Sequence, residues 1–157
     1  MRKRIINQDT QNVSSANQRW LDLERLAQVE ITSEDSTHPI EAALKPGTEQ
    51  SWRASQPGEQ VIRLLFDEPQ ELKRIYLVFS EETQERTQEF VLQWSPDGGQ
   101  SYREIVRQQY NFSPPETSQE VEDYHVDLNG VTALELRIVP DISRGSAYAS
   151  LSQLSLA

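Results

Sequence analysis

The chain has 157 residues and a mass of 18.0 kDa, enough for one domain that buries roughly 70% of the surface of its unfolded chain. It contains no cysteine, which excludes disulfide bonds and thiolate metal sites. Its formal net charge is −10, so nucleic-acid phosphates and anionic membranes repel it unless it carries a local basic patch. The basic residues are scattered apart from Arg2 to Arg4, so we expect neither nucleic acid nor membrane as a partner.

The first part of the chain, residues 1–28, is predicted to be a polar arm with a short helix. Ser15 to Gln18 weakly matches a capping box, and Trp20 and Leu23 follow at helical spacing. The apolar run that a secretion signal requires after the basic cluster is missing, so we expect a cytoplasmic location. One β-rich domain is predicted to occupy residues 29–157.

In that domain, apolar and polar residues alternate in short runs, which is typical of half-buried strands. Turn residues separate several of these runs, as in Asp67-Glu68-Pro69, Ser95 to Gly99 and Asn129-Gly130. About eight short strands joined by such turns predict an antiparallel β-sandwich or barrel. The predicted strands are Val29–Ile31, Ile62–Phe66, Ile75–Phe79, Phe90–Trp94, Tyr102–Tyr110, Tyr124–Leu128, Leu134–Ile138 and Leu154–Leu156.

Several segments, taken in their order along the chain, are similar to segments of a known domain family. Ser51-Trp52-Arg53-Ala54 is similar to a Thr-x-Trp-x-Ser segment, and Phe90 to Trp94 leads into a turn similar to Ser-x-Asp-Gly. With Gln60 to Phe66, Leu72 to Phe79 and the closing Ala149 to Leu154, they resemble the discoidin, or coagulation factor 5/8 type C, domain of the galactose-binding-like superfamily. The resemblance implies an all-β fold: an eight-stranded antiparallel jelly-roll β-sandwich, here with a short N-terminal helical extension.

Calcium-binding members of that family usually have Asp-Gly after a short apolar turn and a glutamate in the last strand. Lys45 and Gln153 stand at the similar positions of this chain. Calcium needs several oxygen ligands and favours anionic ones, whereas a lysine ammonium repels it. We therefore expect no metal and no other cofactor.

The sequence gives little support to an enzyme. It has no cysteine nucleophile, and its two histidines are His38 and His125. His125 is out of phase with the apolar residues of its predicted strand, so we expect it to face solvent. No Gly-x-Ser-x-Gly elbow or His-x-x-x-His metal spacing is present. The carboxylates fall in loops and at strand edges, where a solvated acidic surface explains them. We therefore expect a non-catalytic protein.

The resemblance implies a binding face built from the loops at one end of the sandwich. On this chain those loops are Ser33 to His38, Glu81 to Thr87 and Asp141 to Tyr148. A sugar site needs an aromatic ring for the apolar face of the sugar and fixed donors and acceptors for its hydroxyls. The loops supply such groups, with Tyr148 as the ring, whereas Trp52 and Trp94 are assigned to the core. The candidate ligand-binding residues are His38, Glu82, Arg86, Arg144 and Tyr148.

Two ligand classes remain open at this stage. The resemblance makes carbohydrate the leading class, and docking of a cytoplasmic protein through the same loop end is the alternative. The acidic segment Glu116 to Asp127 could attract a basic protein partner. Membrane-binding loops have apolar tips, and the loop from Ser80 to Glu89 is polar throughout. The oligomeric state is open, because exposed sheet edges permit a dimer without specifying one.

Overall fold

The computed structural model describes residues 20–47, 49–143 and 145–157, and within these ranges it has two short helices and eight antiparallel strands. The predicted all-β sandwich with a short helical extension is confirmed. The elements in chain order are α1 Leu23–Leu26, β1 Ala27–Ile31, α2 Ile40–Leu44, β2 Trp52–Pro57, β3 Gln60–Ser80, β4 Arg86–Ser95, β5 Arg103–Phe112, β6 Gln119–Val139, β7 Tyr148–Leu151 and β8 Gln153–Leu156.

Two of the strands, β3 and β6, are much longer than the sequence predicts. Asp67-Glu68-Pro69 and Asn129-Gly130 were expected to end strands, but each lies inside a continuous strand. The β3–β6 register shifts between Leu65 and Gln70 and again near Leu72, so these turn residues bend the paired strands instead of reversing the chain. One half of β3 pairs with β1, and the other half pairs with β8. The long strands therefore contribute to both layers of the sandwich.

Strands β2 and β7 were not among the eight predicted strands, because each alternates over only about four residues, although the family resemblance included Ser51 to Ala54 and Ala149 to Leu154. They pair with each other in a separate two-stranded sheet. Arg53 lies opposite Ser150 and Pro57 opposite Tyr148, with an irregularity between these two pairs. The pairing matters for function because it brings Tyr148 to the same surface as β2.

The core lies between the layers and is filled by the inward-facing residues of the strands. Phe79 and Phe90, on β3 and β4, have ring centroids 5.2 Å apart. Trp52 is fully buried, and its indole Nε1 donates to the carbonyl of Ser33 at 3.1 Å. Trp94 is half-buried and packs against the same core. Trp52 thus anchors the loop after β1 to the core, and burying such side chains contributes about 1.5–3 kcal/mol each.

The start of the described chain packs on the outer face of the β3–β8 layer. Trp20 lies before α1 and not on its face, and its ring stacks on Tyr76 at 5.8 Å, with the Arg74 guanidinium 4.8 Å from the indole. The predicted capping box at residues 15–18 lies outside the described residues. No helix in the described ranges is long and apolar enough to cross a membrane.

Candidate functional site

The loop after β1, the loop between β3 and β4, and the paired strands β2 and β7 surround a cleft with a volume of about 390 Å³. Its walls are polar and its rim carries charged side chains. This surface is called the cleft below, and its main lining residues are His38, Ser51, Arg53, Glu82, Tyr148 and Ser150.

The structure brings three of the five predicted site residues together. His38, Glu82 and Tyr148 all line the cleft, although they come from three separate segments. Arg86 does not line it: its side chain is fully buried beneath the loop between β3 and β4 and contributes to a neighbouring hollow. Arg144 lies outside the described residues. Arg86, His38, Arg144 and Tyr148 were expected to converge in one cleft; His38 and Tyr148 do so, and Arg86 has a different position.

The Tyr148 ring is the most exposed aromatic surface of the cleft, with 39% of the residue accessible. The guanidinium of Arg53 lies 5.4 Å from the ring centroid, within range of a cation–π contact. Strand pairing of β2 with β7 produces this contact. Arg53 was missed by the sequence analysis. Its signal is its position beside the buried Trp52, because successive strand residues point to opposite faces.

The loop that carries His38 is fixed to β2 by backbone hydrogen bonds. Asp35 N–H donates to the Arg53 carbonyl at 2.8 Å, and Arg53 N–H donates to the His38 carbonyl at 3.1 Å. The Asp35 carboxylate accepts from the backbone N–H of Thr37, which lowers the pKa of Asp35. The Thr37 hydroxyl lies 3.0 Å from Nδ1 of His38. The imidazole is thus held at the edge of the cleft by neighbouring polar groups.

The loop on the opposite wall is held by a buried ion pair. Arg86 Nε donates to Glu81 Oε1 at 2.6 Å, and Arg86 Nη1 donates to the Pro140 carbonyl at 2.8 Å. The other oxygen of Glu81 accepts from the backbone N–H groups of Thr83 and Gln84. Burial alone would raise the pKa of Glu81, but these hydrogen bonds outweigh it and hold the pKa below its ordinary value. Arg86 therefore shapes the cleft from below.

The network continues into the interior from Arg86. Its Nη1 also donates to Gln88 Oε1, and Gln88 Nε2 donates to Glu120 Oε1 at 3.2 Å. Burial, together with the adjacent Glu122, raises the pKa of Glu120 to about 8. Glu120 is therefore protonated at neutral pH, which removes a charge from the interior beside Glu122. A chain of polar contacts thus links a buried acid to the loop that carries Glu82.

The position of the family's calcium site carries groups that suit a cation poorly. The Lys45 ammonium lies 3.5 Å from Glu24 Oε1, and Gln153 Nε2 donates to Ser155 Oγ at 2.9 Å. Among the described residues, no three His, Asp or Glu side chains cluster closely enough to hold a metal ion.

We expect millimolar calcium to leave the melting temperature of the protein unchanged, because an ion that does not bind the native state cannot stabilise it. Thermal unfolding with calcium and with magnesium, which serves as the control for ionic strength, measures this. A rise of several degrees with calcium alone would contradict the interpretation of Lys45 and Gln153.

The chain matches a known domain family over most of its length. The family model described as F5/8 type C domain matches residues 28–154, so the chain belongs to that family. None of the curated proteins compared with this chain matches it in sequence.

Solved structures with low sequence identity share the fold. A family 32 carbohydrate-binding module of Clostridium perfringens NanJ, solved with galactose, has a TM-score of 0.65 at 11% identity, covering 87% of this chain and 96% of that one. The C. perfringens module CpGH89CBM32-5, solved with GalNAc-β-1,3-galactose, has a TM-score of 0.60 at 18% identity, covering 87% and 98%. A Ruminococcus gnavus GH29 fucosidase has a TM-score of 0.69 at 8% identity, covering 93% of this chain but 28% of the fucosidase chain. The fold is thus that of binding modules, some of which are parts of enzymes.

Proposed function

We propose that this chain is a non-catalytic carbohydrate-binding module and that the cleft is its sugar site. The observation that carries the proposal is the exposed Tyr148 ring, which stands beside the donors of Arg53 and His38 and the acceptor oxygens of Glu82. An aromatic ring can cover the apolar face of a sugar, while the charged and polar groups exchange hydrogen bonds with its hydroxyls. The solved structures with galactose and GalNAc-β-1,3-galactose support a ligand of this class.

The charge of the cleft points to the kind of sugar. Its described lining residues include the carboxylates Glu49 and Glu82 as well as Glu81, whose charge is balanced by Arg86, and the guanidinium of Arg53 is already in contact with Tyr148. An acidic sugar would meet like charges here, and the whole chain adds a net charge of −10. The arrangement therefore favours neutral sugars over uronic or sialic acids. The compared proteins offer no support for the alternative of protein docking.

A glycan array with the purified protein tests this proposal. We expect saturable binding to neutral glycans, and we expect Tyr148→Ala to weaken it at least about tenfold, which corresponds to about 1.4 kcal/mol. Val121→Ala is the matched control, because Val121 is similarly exposed, at 48%, and does not line the cleft. If Tyr148→Ala bound glycans as tightly as the wild type, the cleft would not be the sugar site. A blank array with folded protein would overturn the function itself.

A further inference from the structure

A second hollow adjoins the cleft on the far side of the loop between β3 and β4. It has a volume of about 680 Å³ and lies where β4 begins, β5 ends and the loop after β6 passes. Gln84 lines both this hollow and the cleft, so the two depressions adjoin at that residue. The second hollow is defined here by Gln84, Arg86, Thr87, Asn111, Ser113 and Ser143.

The walls of the second hollow offer amides and hydroxyls beside the carboxylates of Glu85 and Asp141. The Thr87 hydroxyl donates to Asn111 Oδ1 at 2.7 Å, which orients the Asn111 amide. In the described part of the chain, the NH₂ group of that amide has no hydrogen-bond acceptor. The side chains of Asn111 and Ser113 are exposed to solvent. Amides and hydroxyls of this kind pair well with sugar hydroxyls, which both donate and accept.

Arg86 lies behind the wall of the same hollow. Its side chain is inaccessible to solvent, and its guanidinium lies 4.7 Å from the centroid of the Phe112 ring. Nε and Nη1 are fully used, and Nη2 has neither a partner among the described residues nor accessible surface. The guanidinium therefore supports the wall from the inside, and the groups that a ligand in the hollow can reach are those of Asn111 and Ser113.

We propose that the second hollow is a further sugar subsite, so that the module binds a neutral oligosaccharide extending from the cleft across Gln84 and not a single terminal sugar. This inference rests on the proposed function, because the cleft supplies the first subsite. The ring of Tyr148 holds one sugar, and the amide of Asn111 with the hydroxyl of Ser113 holds a later unit of the same chain.

The test uses an array of defined mono- to hexasaccharides, followed by calorimetric titration of the tightest binder and its own shortened forms. We expect wild-type affinity to rise at least about tenfold from the single sugar to the longer forms. Asn111→Ala should abolish that gain while leaving binding of the single sugar unchanged, and Tyr148→Ala should weaken every form. Ser113→Ala provides a second exposed variant, and a melting curve for each variant verifies folding.

The outcomes separate this inference from the proposed function. If the single sugar binds as tightly as its longer forms, or if neither Asn111→Ala nor Ser113→Ala affects the longer forms, the second subsite is wrong and the sugar site in the cleft stands. If the array is blank for folded protein, both proposals fall together.

Discussion

Replacing Arg86 with alanine is expected to lower the free energy of unfolding by about 3–5 kcal/mol, because removing one partner of a buried ion pair leaves the other uncompensated. The Arg86 side chain has no accessible surface, and that of its partner Glu81 is 15% exposed. The substitution also removes the donor to the carbonyl of Pro140 and to Gln88. Urea denaturation measured by tryptophan fluorescence gives the change.

Arg107→Ala is the matched control for this prediction. Arg107 on β5 also pairs with carboxylates, Glu89 on the neighbouring β4 and Glu104 on its own strand, but its side chain is 55% exposed. Exposed pairs contribute about 1 kcal/mol or less, so this variant should unfold almost as the wild type does. If both variants lost similar amounts of unfolding free energy, burial would not make the Arg86 ion pair more stabilising than the exposed pairs of Arg107.

Arg86→Ala should also weaken glycan binding under conditions where the variant is folded. Glu81 holds the backbone N–H groups of Thr83 and Gln84, and this loop forms one wall of the cleft. Without the guanidinium, the Glu81 carboxylate is free to turn toward solvent, and the loop that carries Glu82 loses its fixed position. Arg86 is therefore expected to act through the loop, as a positioning residue for the cleft.

The second large effect is a dependence of stability on pH that Glu120→Gln should remove. The pKa of Glu120 is raised from 4.5 to about 8 by burial and by Glu122. Between these values the folded state binds more protons than the unfolded state, so the stabilisation is complete below pH 4.5 and is lost as the pH rises through about 8. Each pH unit in this window changes the free energy of unfolding by at most about 1.4 kcal/mol.

From pH 6 to pH 8 we therefore expect the wild type to lose about 2 kcal/mol more stability than Glu120→Gln. Glutamine suits this position, because its amide oxygen can accept from Gln88 as the acid does and, like the protonated acid, it carries no charge. Denaturant unfolding of both proteins across this pH range measures the difference. Parallel pH profiles for the two would show that Glu120 ionises normally in the folded protein.

The local pattern of the sequence predicts the class of fold because each strand signal is contained in a few neighbouring residues. The alternation around Phe79 and Phe90 assigns both to the core, where their rings meet. The same reasoning fails where turn residues stand in a long strand. Asn129-Gly130 has the chemistry of a turn, and Gly130 has a φ of +73°, yet pairing on both sides keeps the strand continuous through a bend. Tertiary pairing outweighs local turn preference there.

The candidate site, like the fold, could be predicted from the sequence only in part. The loop residues His38, Glu82 and Tyr148 could be chosen from the sequence through the family resemblance, and the fold places all three around one cleft. Arg53 was missed: its place beside Trp52 predicts that it faces outward, but its contact with Tyr148 depends on the long-range pairing of β2 with β7. The position of Arg86 could not be predicted either, because a loop arginine looks solvent-exposed until Glu81 and Pro140 are known to surround it.

The sequence alone therefore determined the all-β class, the acidic surface and the loops from which a ligand site could be built. These properties depend on composition and on spacings of a few residues, which tertiary contacts do not alter. The tertiary structure decided which side chains share the cleft, which charge is buried beneath it and where a second hollow adjoins the cleft. Those properties depend on residues far apart in the chain, and long-range strand pairing is what brings them within hydrogen-bonding distance.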